Sequence, residues 1–157
     1  MKKHEEFLKY TIELAKENVK NTLGGPFAAV LVKDNQVIEQ ATNAVIPNND
    51  PTAHAEIQVI RKLTKNLTDI DLSKYTLYSS CRPCPMCLGA IYWSNIKTVY
   101  YAADSDDAEI AKFSDKFIYS EFEKPENMRN IKIVNIKIPN KQEPFETWNN
   151  KENKIEY

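Results

Sequence analysis

The chain has 157 residues, 42% of them hydrophobic, which suffices for one domain with a real core and is too short for two comfortable ones. Its 21 basic and 22 acidic residues nearly cancel and are mixed along the chain, so no basic block meets a polyanion and nucleic acid is disfavoured as a partner. No stretch approaches the ~18 uninterrupted apolar residues of a membrane span. The charged N-terminus lacks a signal-like apolar run, and three cysteines within seven residues cannot form a disulfide framework, so the expectation is a cytoplasmic, metal-binding protein.

In residues 4 to 20, Leu8, Ile12, Ala15 and Val19 recur at helical spacing, with Phe7 and Leu14 widening the stripe. This predicts an amphipathic helix with a solvated His4 in its first turn. Thr22-Leu23-Gly24-Gly25-Pro26 ends it, and the apolar run Phe27 to Val32 predicts a buried strand. A turn at Asp34-Asn35-Gln36 leads into Val37 to Thr42, which completes a hairpin. Asn48-Asn49-Asp50-Pro51 predicts a helix start, with Asp50 as cap and Pro51 at the first position. His54 and Glu56 then fall in the first turns, and Ile57, Ile60 and Leu63 give that helix an apolar face. Tyr75 to Ser80 and Thr98 to Ala102 predict strands on either side of a helix from Met86 to Trp93.

Beyond Ala103 the chain is polar with scattered aromatics to Glu126, alternates like a strand from Ile131 to Ile138, and suits a short helix at Phe145 to Trp148. Strands alternating with helices after an opening hairpin predict an α/β protein. The expected architecture is three α/β/α layers around a central mixed sheet of five strands, antiparallel at the hairpin and largely parallel in the region after it, in a single domain over residues 1–157.

Cys84 and Cys87 lie three apart, on one side of a helical turn, and can grip one ion together. His54 supplies a third ligand. Because His54 and Glu56 are two apart, both can approach the ion only if it sits off the N-terminal end of their helix, where the helix dipole favours negative charge. Three ligands leave zinc one open position, the mark of a catalytic site, and zinc lowers the pKa of water there from ~15.7 to about 7. Glu56 is then placed to shuttle protons between that hydroxide, a ring nitrogen and a departing amine. The competing arrangement is a closed structural site, or non-enzymatic zinc module, in which Cys81 joins the other three. It leaves Glu56 idle, and Cys81 sits at a strand end that suits a small packed residue.

H-x-E followed by P-C-x-x-C is the pattern of zinc nucleobase deaminases. With Gly24-Gly25-Pro26-Phe27, Asn43, residues 49–56, residues 83–93, Asp115 to Tyr119 and the terminal Glu156-Tyr157, the chain resembles the cytidine-deaminase-like superfamily and, within it, the guanine deaminases of bacteria. The resemblance covers nearly the whole length. It implies one zinc ion per subunit and hydrolysis of a free purine base, guanine, to xanthine and ammonia, in a homodimer that exchanges C-terminal segments. It implies that Phe27 stacks on the base, that Asn43 bonds its polar edge, that Asp115 and Tyr157 meet the amine region, and that Ala55 and Trp93 complete the pocket. Related enzymes deaminate a base in transfer RNA or a cytosine-like ring, which are the alternatives within this chemistry. Two positions depart from the family pattern: Arg82 replaces a common acidic residue and Ala28 a common glycine. Neither is a metal ligand, so both bear on substrate detail.

Overall fold

The computed structural model describes residues 1–156, and the chain divides into two compact units, Met1–Tyr119 and the remainder from Ser120. The first unit opens with α1 (Lys2–Lys20), followed by a hairpin of β1 (Ala28–Lys33) and β2 (Gln36–Thr42). Asp34 and Asn35 both take positive φ (49° and 61°), as a tight primed hairpin turn requires, and asparagine and aspartate tolerate that region. A single helical turn, α2 (Val45–Asn48), precedes α3 (Ala55–Leu67), β3 (Thr76–Cys81), α4 (Pro85–Trp93) and β4 (Thr98–Ala103).

The strands form one sheet in the order β2-β1-β3-β4. β1 is antiparallel to both neighbours, and only β3 and β4 run parallel, with Leu77 opposite Val99. The sheet is mixed, as expected, with its parallel part confined to the one pair of β3 and β4. The α4 crossover dictates a parallel return to β4, whereas nothing in strand–helix alternation fixed how β3 would meet the hairpin.

Both faces are covered. On β1, Ala29 and Leu31 point into a core shared with Val59 and Leu63 of α3 and Ile91 of α4, while Val30 and Val32 join Tyr78 beneath Phe7, Leu8 and Leu14 of α1. This two-sided burial explains why β1 reads as a continuous apolar run. Leu31 and Leu77 are completely buried, each contributing about 2 kcal/mol of apolar transfer.

His4 is not solvated as its charged neighbourhood suggested. Its ring stacks 4.3 Å from that of Tyr100, and its Nδ1 lies 2.7 Å from the Tyr78 hydroxyl. The apolar stripe of α1 carries the ring onto the sheet.

Past β4, α5 (Ser105–Ile110) begins with a capping box: Asp104 accepts from the backbone N–H groups of Asp106 and Asp107, and Asp107 returns a bond to the Asp104 N–H. Helix α6 (Lys116–Glu123) closes the first unit and opens the second. In the second unit, Arg129 bonds the carbonyls of Phe122 and Lys124, a 3-10 turn covers Glu126–Met128, and α7 (Glu143–Asn149) includes the helix expected at Phe145 to Trp148. The fifth strand is absent among the described residues. Residues 131–138 form no ladder, and Ile131, Ile133, Val134, Ile136 and Ile138 are each at least 60% exposed. Alternation gives a strand an apolar face without giving it a hydrogen-bonding neighbour.

Candidate active site

The helix expected to start at Asp50-Pro51 starts later. Asp50 Oδ1 accepts from the backbone N–H and the hydroxyl of Thr52, at 2.8 and 2.7 Å, forming a side-chain turn that competes with helix capping. Helix α3 consequently begins at Ala55, and His54 itself is the capping residue, in extended conformation (φ −68°, ψ 155°). Cys84 occupies the same position at the head of α4 (φ −68°, ψ 168°), with Pro85 at the first helical site. Two helix N-termini thus present one ligand each, and Cys87 adds another from the first turn of α4.

His54 Nδ1, Cys84 Sγ and Cys87 Sγ form a triangle with all three sides at 3.5 Å. A tetrahedral zinc site with arms of about 2.1–2.3 Å has edges of roughly 3.4–3.8 Å, so this donor set fits zinc in both chemistry and spacing. Cys81 stands outside the group: its thiol approaches the carbonyl of Asp104 at 3.5 Å, and burial pushes its pKa up to about 11. Contact with Cys87 pulls Cys84 down to about 4, with His54 acting in the same direction, whereas contact with Cys84 and burial push Cys87 up. Both sulfurs hold a metal as thiolates, so metal binding releases their protons. Contact with Cys84 raises the pKa of His54 against the opposing effect of burial.

Glu56, on the first turn of α3, is 6% exposed. Ser79 donates to its Oε1 at 2.7 Å from the centre of the sheet, and the Cys87 thiol lies 3.4 Å from Oε2. Burial raises its pKa, with the Ser79 bond opposing. One carboxylate oxygen is thus anchored and the other faces the metal ligands.

His54, Cys84 and Glu56 line a cavity of about 570 Å³, within the roughly 300–1,000 Å³ usual for small-molecule sites. Phe27, Asn43 and Asp115 line it. Asn43 Oδ1 accepts from the N–H groups of Gly25 (3.1 Å) and Val45 (3.3 Å), which leaves its amide nitrogen to face a ligand. Asp115 Oδ1 is buried with no hydrogen-bond partner among the described residues. Ala55 is fully buried in the core and can offer the cavity only its backbone. Trp93 does not line the cavity; it is 76% exposed at the end of α4. Tyr157 lies outside the described residues.

Sequence reasoning missed Phe113, whose ring meets Phe27 edge-on at 5.2 Å and forms a second aromatic wall. It also left Arg82 without a place: its guanidinium lies 5.4 Å over the Tyr119 ring and lines the cavity, while the Tyr119 hydroxyl donates to the Pro83 carbonyl at 3.0 Å. The Asp104 capping signal could have located α5 and hence the turn that carries Phe113.

Residues 1–103 match the cytidine and deoxycytidylate deaminase zinc-binding region, a stretch that holds all three ligands and Glu56. Over 154 residues the chain is 49% identical to guanine deaminase of Bacillus subtilis, covering 98% of this chain and 99% of that one. The crystal structure of that enzyme superimposes with a TM-score of 0.94 over 98% of each chain. A variant of the protein NE0047 bound to 8-azaguanine matches at 34% identity and a TM-score of 0.68, over 71% of this chain and 64% of that one. The tRNA-specific adenosine deaminase of Haemophilus influenzae is 42% identical over 101 residues, 63% of this chain and 57% of its own. With the ligand triangle, the buried glutamate and this likeness in place, the chain belongs to the zinc-binding cytidine and deoxycytidylate deaminase family.

Proposed function

We propose that this chain hydrolyses guanine to xanthine and ammonia. The observation that carries the reading is the buried Glu56, beside a three-ligand metal triangle, in the lining of a mostly apolar, base-sized cavity. Likeness to a guanine deaminase over nearly the whole chain selects the substrate.

One zinc ion per subunit, held by His54, Cys84 and Cys87, would supply the Lewis acidity that makes water nucleophilic at neutral pH. Glu56 takes one proton from the attacking water and gives it to a ring nitrogen as the C–O bond forms, then takes the second from the new hydroxyl and gives it to the amine as the C–N bond breaks and ammonia leaves. Ser79 keeps one Glu56 oxygen fixed, so the other swings between donor and acceptor without losing its place. Phe27 stacks on the base, and Asn43 donates to its polar edge. The unpartnered Asp115 oxygen accepts an N–H from the amine region. The leading N–H groups of α3, that of Ala55 among them, have no intrahelical acceptor and favour developing negative charge.

The protein works in a reducing compartment, the cytoplasm, where its three cysteines stay free. Among the described residues no helix is long and apolar enough to cross a membrane. It acts as a homodimer with exchanged C-terminal segments, residues 1–157 forming one functional domain. The open edge of β4, the exposed Tyr92 and Trp93, and the exposed alternating residues 131–138 are the surfaces such a dimer would cover. Trp93 belongs with this surface.

The test is ammonia release by zinc-loaded protein offered guanine, adenine, cytosine and guanosine, with Glu56→Gln as control. Turnover of guanine that falls by about 10²–10⁴-fold in the variant is expected. Silence on every free base overturns the reading and directs attention to an adenosine flipped out of RNA.

A further inference from the structure

Helix α1 supplies no residue to the cavity lining, yet one of its side chains holds the cavity's inner wall together. Asn18, 3% exposed, donates through Nδ2 to the carbonyl of Gly25 at 2.9 Å and to the carbonyl of Asn43 at 3.0 Å. Only the NH₂ end of an amide can meet two carbonyls, so its orientation is determined. Its oxygen is consequently left buried with no partner among the described residues. A buried acceptor without a donor is unfavourable, and its presence needs a compensating gain.

That gain lies in what the two bonds join. Gly25 N–H donates to Asn43 Oδ1 at 3.1 Å, Asn43 N–H to the Phe27 carbonyl at 2.9 Å, and Phe27 N–H to the Gly25 carbonyl at 2.8 Å. The end of α1, the Gly24-Gly25 turn and the end of β2 are thus cross-braced, with Asn18 bonding both the turn and the strand end from a third element. The joint is tight: a Cβ on Gly24 would lie 2.2 Å from the Asn43 carbonyl oxygen and 3.0 Å from Asn18 Nδ2.

We infer that Asn18 is a positioning residue for base recognition, setting the direction of the Asn43 amide and the pitch of the Phe27 ring without touching substrate. The inference rests on the proposed deamination of guanine. It separates two parts of the site: the metal triangle and Glu56 hang from α3 and α4, to which Asn18 makes no hydrogen bond among the described residues, so its loss acts on base affinity and spares the chemical step.

Asn18→Leu, close in size and free of the orphaned acceptor, tests this. The expected result is a KM for guanine raised roughly tenfold, with kcat within about threefold, one zinc per chain and a folded chain whose melting temperature falls by only a few degrees. Asn18→Asp, which sets a carboxylate against two carbonyls, raises KM further. In a double-mutant cycle with Asn43→Ala, the two KM effects are far from additive. If Asn18→Leu does not fold, Gly24→Ala presses on the same joint from the turn and must raise KM with zinc retained. Wild-type KM in a folded, zinc-loaded variant, or equal and additive changes in kcat and KM, overturns the inference alone. A wild type inactive on guanine overturns the functional reading, and the inference falls with it.

Discussion

Two parts of the cavity lining are built differently. At the metal end, His54, Glu56, Cys84 and Cys87 project from the first turns of two helices packed on the sheet, and Glu56 and Cys87 are almost fully buried. On the wall that follows α5, Phe113 is 48% exposed and sits, with Ser114 and Asp115, in an irregular link between two short helices. That link is held by exposed ion pairs of Lys116 with Asp106 and Glu109, which contribute little, and by the Tyr119 bond to Pro83. The chemistry is held rigidly, whereas the surface that closes over the base depends on a few contacts. A substrate that must enter and a product that must leave use such a wall.

The comparison breaks most visibly at the metal end. Replacing Cys84 with Ala leaves two ligands in place of three, and both zinc content and ammonia release should drop to background, the first read by elemental analysis. At the wall the response differs in kind. Phe113→Ala removes the edge-on contact with Phe27, an interaction of about 0.5–1.5 kcal/mol, and should raise KM severalfold with zinc content intact and kcat little changed. A loss of zinc in that variant would mean the two parts are not separable.

The smallest effect is expected at Cys81, beside the ligands but not among them. Its thiol pKa is raised by burial to about 11, so the stabilisation from keeping it neutral is complete below the ordinary thiol value and is lost as pH rises through the raised one. Thermal melts from about pH 8 to 10.5 should therefore show the wild type losing ground to Cys81→Ala by a few degrees, with equal zinc in both.

The metal end was legible because its signals are local. Two cysteines three apart and a histidine two before a glutamate specify what one helical turn can present, and a shifted helix start changed only how His54 is held. The shift had its own logic: Asp50 found the Thr52 N–H and hydroxyl closer than any helix end. The wall was less legible, since Phe113 becomes a wall only when the capping box at Asp104 starts α5 and the chain returns over Phe27. The β1 and β2 hairpin was readable from its turn, but the fifth strand was not, because the period of Ile131 to Ile138 describes a face and says nothing of a partner. Asn18 gave no signal at all: in a polar stretch of α1 its sequence context is that of any surface asparagine.

The ligand triangle has a further mechanical consequence. His54 and Cys84 are separated by 30 positions, so an ion that holds both ties the heads of α3 and α4 as a covalent cross-link would. Closing a loop of that length removes unfolded-chain entropy equivalent to roughly 3–4 kcal/mol on the scale used for disulfides. That is a large share of the 5–15 kcal/mol by which domains are ordinarily stable. The zinc that serves the chemistry thus also staples the fold, and its occupancy sets how much heat the folded chain withstands.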